Sequence, residues 1–264
     1  MARRNDRRGR GGRPAPVLVE CGVGTLELVP DPVRRGGRTL LIDGLTHGHV
    51  DLDDPTRLEV DYVARIGAAL EVLLPRGAEA SVLHVGGGAF SLPRMVAATR
   101  PHATQTVIER SAAVVRLAEQ HLRLRRGPRL RVLRGDAADV VPRLDAASFD
   151  LVVGDAFVGT EIPERLSDDA YAAQVRRALR RDGRYLLNVV DQPPWSVTVD
   201  HAERLRRTLG AVVGFGGREV ARGRHAGNVL LLGGTAPLPV ERLRRAVAGG
   251  AHPAELLPPD RLGG

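Results

Sequence analysis

The segment SVLHVGGGAF, at residues 81–90, decides the fold of this chain, because an apolar strand runs directly into three consecutive glycines. Three comparable segments follow, and each ends in an acidic residue: TQTVIE (104–109), LRVLRGD (130–136) and FDLVVGD (149–155). Helix-length segments separate them, and RYLLNVVD (184–191) adds a fifth strand. Strands that alternate with helices predict a parallel sheet with helices on both faces.

Two further strands depart from this rhythm. AVVGFG (211–216) and NVLLLGG (228–234) are separated by a short segment that contains Gly223, so we expect them to pair antiparallel. Five strands that alternate with helices, followed by a terminal hairpin, are typical of the class I S-adenosylmethionine-dependent methyltransferase fold. The sequence therefore predicts an α/β protein with a seven-stranded, Rossmann-like sheet.

The chain on either side of this region is organised differently. Residues 17–56 contain short strands broken by glycine and proline, which predicts a small N-terminal β-strand subdomain before an α/β domain at 57–250. Residues 1–16 are rich in Arg, Gly and Pro, and we expect a disordered tail that is solvated rather than a nucleic-acid-binding arm. Residues 251–264 are rich in Pro and Gly and predict a flexible C-terminal tail.

Composition excludes several classes of protein. The 264 residues include one cysteine, Cys21, which excludes an internal disulfide framework or a multi-cysteine zinc site. Aromatic residues make up 3%, so stacking on nucleobases is not expected to be the main activity. No apolar run approaches the roughly 20 residues that span a bilayer, and no apolar segment follows the basic N-terminus as in a secretory signal, so we expect a cytoplasmic protein.

The ends of the predicted strands carry the candidate site. Ligands bind at the carboxyl ends of the strands in such sheets, and glycines there let the backbone approach a ligand closely. An acid after the second strand can accept both hydroxyls of a ribose, and an acid after the third can accept the amine of an adenine. The predicted nucleoside site comprises Gly86, Gly87, Gly88, Glu109, Asp136 and Ala137, with Asp155 beside the reactive end of the ligand.

Two other interpretations of these strand ends were weighed. Gly86 and Gly88 meet half of the dinucleotide-binding pattern G-x-G-x-x-G, but Ser91 stands at the third glycine, so an S-adenosyl nucleoside is favoured. The other interpretation is a structural relic of a site that no longer binds a ligand. His47 and His49 have the spacing of a surface pair, and no metal site is predicted.

The same motifs resemble those of a known family. VLHVGGGAF, VIE, LRGDAADVV and FDLVVGDAFVG, preceded by TLLIDGLTHGHVDLDDPTRLEVDYV, resemble the polyamine aminopropyltransferases, or spermidine synthase family, and most of all a divergent branch common in actinobacteria. The resemblance covers about residues 24–234. It implies an S-adenosyl co-substrate, either S-adenosylmethionine or its decarboxylated form, and an amine acceptor. It also implies that Asp155 helps to deprotonate that amine and that the N-terminal strands pair two subunits in a homodimer.

The acceptor side departs from the family pattern. The family has an aspartate in its glycine loop where this chain has Ala89, and its second acceptor-binding aspartate has no counterpart after Asp155. Burial of a diamine requires carboxylate partners for both ammonium groups. We therefore expect a less anionic acceptor pocket that binds putrescine poorly. The candidate residues of this pocket are His47, Tyr62, Glu161 and Trp195.

The function predicted from the sequence is a spermidine synthase-like transferase that moves an alkyl group to a small nucleophile. The alternatives are a methyltransferase that uses S-adenosylmethionine itself, and a non-catalytic nucleoside-binding homologue. Nucleic acid and membrane are not expected as partners.

Overall fold

The computed structural model describes residues 15–22 and 24–263. The predicted tail at 1–16 therefore lies almost entirely outside the described residues. The N-terminal region forms a four-stranded antiparallel sheet in the order β1-β2-β3-β4. Its strands are β1 (Val17–Cys21), β2 (Gly24–Pro30), β3 (Gly37–Ile42) and β4 (Leu45–Asp51).

The α/β body begins at the helix α1 (Asp61–Leu73). Its parallel strands alternate with helices as the sequence predicts. In chain order, these strands and helices are β5 (Ser81–Val85), α2 (Ser91–Thr99), β6 (Thr104–Glu109), α3 (Ala112–His121), β7 (Leu130–Arg134), α4 (Ala137–Val140), β8 (Phe149–Gly154), α5 (Asp169–Ala178) and β9 (Leu179–Asp191). The closing elements are α6 (Ser196–Leu209), β10 (Ala211–Gly217), α7 (Arg218–Ala221), β11 (Gly227–Gly234), α8 (Val240–Ala248) and β12 (Ala254–Leu256).

The large sheet has the order β12-β10-β11-β9-β8-β5-β6-β7. Strands β5 to β9 pair in parallel, and the predicted hairpin of β10 and β11 is antiparallel. The chain order reverses at β5, whose neighbours are β6 and β8, and this switch point is where α/β sheets bind ligands. The mixed α/β, methyltransferase-like architecture is confirmed.

The C-terminal segment corrects one prediction. The sequence predicted seven strands and a flexible tail at 251–264, whereas β12 pairs with β10 as an eighth strand. Leu257 and Leu262 are buried in the core beside this strand. The segment is held because a short strand and two apolar side chains complete the end of the sheet, although the segment is rich in Pro and Gly.

The N-terminal sheet packs against the body rather than standing apart. Leu26, Leu40 and Val50 share a hydrophobic cluster with Phe90 and with helix α3. The Ser91 hydroxyl donates a hydrogen bond to the His49 carbonyl at 2.7 Å. A small antiparallel sheet is marginal alone, and this contact buries its inner face against the glycine loop and places the β3–β4 hairpin over the strand ends.

Candidate active site

A cavity of about 450 Å³ opens where the N-terminal hairpin meets the carboxyl ends of β5, β6, β7 and β8. Its walls come from the glycine loop after β5, the residues after β6 and β7, the loop after β8, and the hairpin of β3 and β4. The predicted site residues that line it are His47, Tyr62, Gly86, Gly88, Glu109, Asp136, Ala137 and Asp155. Gly87 lines a small adjoining recess with His47, Tyr62 and Asp155.

The glycine loop is shaped by close backbone contacts. Gly86 has φ +99°, and a Cβ there would lie 2.1 Å from the Asp155 carbonyl oxygen. Gly88 has φ +49°, and its Cβ would lie 3.0 Å from the His47 carbonyl oxygen. The contact at Gly86 excludes any side chain, and Gly88 combines a positive φ with a contact tighter than most Cβ atoms have. The glycines therefore bring the β8 loop and the N-terminal hairpin against the end of β5.

Glu109 is fixed by the backbone around it. One carboxylate oxygen accepts the Gly87 amide at 2.9 Å, and the other accepts the Ser111 amide at 2.7 Å. Each carboxylate oxygen can accept a second hydrogen bond. The carboxylate is 9% exposed and is presented to the cavity in one orientation, which suits a pair of neighbouring hydroxyls.

Asp136 has two partners in the structure. One carboxylate oxygen accepts the Ala138 amide at 2.8 Å and caps helix α4. The other forms an ion pair with Arg165 at 3.2 Å, and Arg165 also contacts Asp139 at 2.7 Å. No motif in the sequence indicates Arg165, which lies in a short turn after the β8 loop and reaches Asp136 only through the fold.

Asp155 stands at the centre of a hydrogen-bonded chain. The Asn188 amide donates to one oxygen at 2.8 Å, and the Tyr62 hydroxyl donates to the other at 3.3 Å. The Asn228 amide in turn donates to the Asn188 side chain at 3.0 Å. Burial raises the pKa of Asp155, and the two hydrogen bonds oppose that rise. The pKa of Tyr62 is raised by burial and by the Asp155 carboxylate.

The N-terminal hairpin contributes a further wall. Asp43 and Gly44 form its two-residue turn, and both have positive φ. Asp43 lines the cavity, and its carboxylate accepts the Thr25 amide at 2.8 Å. Burial lowers the pKa of His47 and nearby Asp43 acts against that shift, so His47 faces the cavity as a neutral imidazole at pH 7. Asp43 is a cavity residue that the sequence analysis missed, since an Asp-Gly pair reads as a turn.

Two predicted acceptor residues lie elsewhere. Glu161 is exposed and does not line the cavity, because its backbone pairs with Val158 in a tight turn that ends the β8 loop. Trp195 is 4% exposed and packs in the core beside Leu262, with the Arg261 guanidinium 6.0 Å from the ring centre. The C-terminal segment, rather than the cavity, holds Trp195.

Among residues 15–22 and 24–263, no group of His, Cys, Asp and Glu side chains has a metal-binding arrangement. No helix in the described part of the chain is long and apolar enough to cross a membrane.

The chain is similar to known proteins in sequence and in structure. No family model matches the chain. The polyamine aminopropyltransferase of Chromobacterium violaceum is 26% identical over 140 residues, which cover 53% of this chain and 52% of that protein. The Vibrio vulnificus polyamine aminopropyltransferase is 27% identical over 155 residues, covering 58% and 50%. The chain spans about half the length of the curated relatives it matches.

Solved structures share the architecture. A probable spermidine synthase from Corynebacterium glutamicum superposes with a TM-score of 0.86 at 24% identity, covering 94% of this chain and 92% of that one. A spermidine synthase in complex with the transition-state analogue AdoDATO gives 0.65 at 16% identity, covering 88% and 77%. Human methyltransferase-like protein 13 in complex with SAH gives 0.56 at 16% identity, covering 71% and 93%.

Fold and cavity together define a methyltransferase-like α/β domain with a site at the strand ends. Within that class, the comparisons confirm the resemblance that the motifs indicated: about half of the chain is similar in sequence to polyamine aminopropyltransferases, and its fold is similar to that of a probable spermidine synthase.

Proposed function

We propose that this protein binds decarboxylated S-adenosylmethionine and transfers its aminopropyl group to a small amine in the cytoplasm. The observation that carries the proposal is Asp155, a largely buried carboxylate held by Tyr62 and Asn188 at the cavity wall. The names of the curated relatives and the AdoDATO complex support the aminopropyl chemistry.

The nucleoside end of the proposed substrate would be held by the strand ends. Glu109 would accept the ribose hydroxyls through the free lone pairs of its fixed carboxylate. Asp136 would accept the adenine amine, with Ala137 beneath the ring, and the contact with Arg165 would have to rearrange or be shared. The backbone of the glycine loop would approach the sugar closely.

Transfer is a displacement at carbon. The lone pair of the amine nitrogen attacks the methylene carbon beside the sulfonium, a C–N bond forms and the C–S bond breaks. The sulfur keeps the bonding electron pair, and methylthioadenosine leaves as a neutral thioether. Asp155 accepts the proton that the ammonium must lose, directly or as the new bond forms. Its raised pKa makes it a stronger base than an exposed aspartate.

A second candidate is methyl transfer from S-adenosylmethionine itself. Ala89 favours this candidate, because it is 2% exposed, packs against Gly48 and carries no charge. The family has a carboxylate at this position for the amine end of the decarboxylated co-substrate, and this chain does not. The human methyltransferase neighbour shares the fold of the nucleoside-binding body.

Calorimetry and product analysis test both candidates. The protein is titrated with decarboxylated S-adenosylmethionine, S-adenosylmethionine and methylthioadenosine, and products with a panel of amines are identified by mass spectrometry. We expect binding of methylthioadenosine and transfer from the decarboxylated donor. Methylated products alone would favour the second candidate, and binding without any transfer would indicate a non-catalytic homologue.

Asp155→Asn is the matched variant, because the asparagine oxygen can still accept the Asn188 amide and its NH2 can donate to the Tyr62 oxygen, with that bond reversed, while it cannot take a proton. Loss of a general base costs about 10²–10⁴ in rate, so we expect at least a hundredfold loss of transfer with methylthioadenosine affinity within about threefold of wild type. Full transfer activity in this variant would remove Asp155 from the mechanism.

A further inference from the structure

Exposed apolar side chains mark one part of the cavity wall. Among the described residues, the large hydrophobic side chains with substantial exposure are Leu18, Val33, Leu45, Val158 and Val197. Leu45 and Val158 are each 53% exposed, and both line the cavity. Leu45 begins β4 in the N-terminal hairpin, and Val158 belongs to the loop that follows Asp155. Two separate elements therefore each turn an apolar side chain toward the same opening.

Carboxylates are scarce on this side of the cavity. Glu109 and Asp136 belong to the nucleoside end, which leaves Asp155 and Asp43 among the lining residues. The lowered pKa of His47 keeps that side chain uncharged, and Glu161 does not line the cavity. Aminopropyl transfer to a diamine places three amine groups here: that of the donor chain, the reacting nitrogen and the distal ammonium.

The count of charges limits the acceptor. Asp155 serves the reacting nitrogen, and Asp43 is the remaining carboxylate for the ammonium of the aminopropyl chain. A distal ammonium would then lie beside Phe157, Val158 and Leu45, whose side chains offer it neither a negative charge nor a hydrogen-bond acceptor. An alkyl group in the same place would bury apolar surface instead.

We infer that the acceptor is a primary monoamine with an apolar body, rather than an α,ω-diamine. This inference rests on the proposed function, since it assumes aminopropyl transfer to an amine. The reacting nitrogen lies at Asp155, and the hydrocarbon part lies against Leu45 and Val158. The bonds formed and broken are those of the aminopropyl transfer described above, with the proton passing to Asp155.

The test compares two acceptors of the same size. Putrescine and n-pentylamine each have six heavy atoms and differ by an ammonium in place of a methyl group. With decarboxylated S-adenosylmethionine as donor, release of methylthioadenosine is measured for both. We expect kcat/KM for n-pentylamine to exceed that for putrescine by at least tenfold. Equal values, or a preference for putrescine, would overturn the inference.

Val158→Asp supplies the missing carboxylate and should move the preference toward putrescine by about tenfold or more. Val197→Asp is the matched control, because Val197 is 42% exposed, undergoes the same change and does not line the cavity; its acceptor preference should stay that of wild type. An unchanged preference in Val158→Asp, with thermal unfolding like that of wild type, would contradict the placement of the acceptor. Failure of wild type to bind methylthioadenosine or to transfer to any amine would instead refute the proposed function.

Discussion

At the scale of single residues, the cavity depends on carboxylates whose behaviour is set by their surroundings. Glu109 and Asp136 accept backbone amides, whereas Asp155 accepts the side-chain donors of Asn188 and Tyr62. Desolvation penalises the charged form of a carboxylate. Burial raises the pKa of Asp155, which suits the group that must accept a proton.

The raised pKa of Asp155 predicts a pH dependence of stability. A carboxyl whose pKa is higher in the folded protein than in the unfolded chain stabilises the fold at low pH, and this contribution is lost as pH rises through the folded pKa. Asp155→Asn should therefore gain stability relative to wild type at pH 7 and lose that advantage at pH 4. Urea unfolding at both pH values measures the difference. If Asp155→Asn is less stable than wild type at pH 7, and by more than at pH 4, the predicted direction of the pH dependence is wrong.

The proposed contact of Asp136 with the nucleoside predicts a loss of binding affinity that its helix-capping role alone does not explain. Asp136→Ser keeps a side-chain acceptor for the Ala138 amide but is too short to reach an adenine. We expect methylthioadenosine binding to weaken at least tenfold, because a charged hydrogen bond is worth about 1.5–3 kcal/mol. Asp139→Ala is the control, since Asp139 contacts Arg165 and does not line the cavity. Equal affinity in Asp136→Ser and wild type by calorimetry would exclude the role.

At the scale of elements, the local sequence predicts the strands of the body, whereas it predicts the residues of the candidate site only in part. Apolar runs that end in Gly86, Asp136 or Asp155 identify parallel strands and their ligand-binding ends without a structure. The strand β12 was not predicted, because a segment of three residues between prolines forms a strand only by pairing with the edge of β10. The predicted positions of Trp195 and Glu161 were wrong for a related reason. Trp195 is held by core packing against residues distant in sequence, and Glu161 is turned away by the backbone pairing of a tight turn.

Docking of the C-terminal segment predicts a stability effect. Leu262 is 4% exposed and packs in the core that also holds Trp195 and Leu257. Leu262→Ala should lower the free energy of unfolding by about 2–5 kcal/mol, the range for buried leucines. Val197→Ala, at a valine of α6 that is 42% exposed, is the control and should change it by less than about 1 kcal/mol. Urea denaturation measures both variants, and equal unfolding midpoints for Leu262→Ala and wild type would mean that the C-terminal segment does not dock.

At the scale of the whole molecule, the N-terminal sheet packs one face against the body. Its first strand, β1, lies at the edge of the sheet and exposes Leu18. We expect a homodimer that buries these strands, as the family resemblance implies. Light scattering at micromolar concentration should give twice the chain mass, and Leu18→Lys should shift the protein toward monomer. A monomeric wild type would contradict the prediction.

Buried histidines give the molecule a sensitivity to acid. The pKa of His84 falls to about 4 because it is fully buried in β5, where it hydrogen-bonds Gln105, and burial and Arg204 lower that of His201 to about 4. A histidine whose pKa is depressed in the folded state stabilises the fold above its unfolded pKa, and this stability is lost as pH falls toward 4.

The size of that loss can be predicted and measured. At 1.36 kcal/mol per pKa unit, burial of His84 accounts for roughly 3 kcal/mol between pH 6.5 and 4, and the less buried His201 for less. Asp155 acts in the opposite direction, because its raised pKa favours the protonated form. We expect the free energy of unfolding, from urea titrations at half-unit steps, to fall over this range. His201→Gln should flatten the fall, whereas His225→Gln, at an exposed histidine, should leave it unchanged. A fall that is as steep in His201→Gln as in wild type would mean that other groups carry the acid sensitivity.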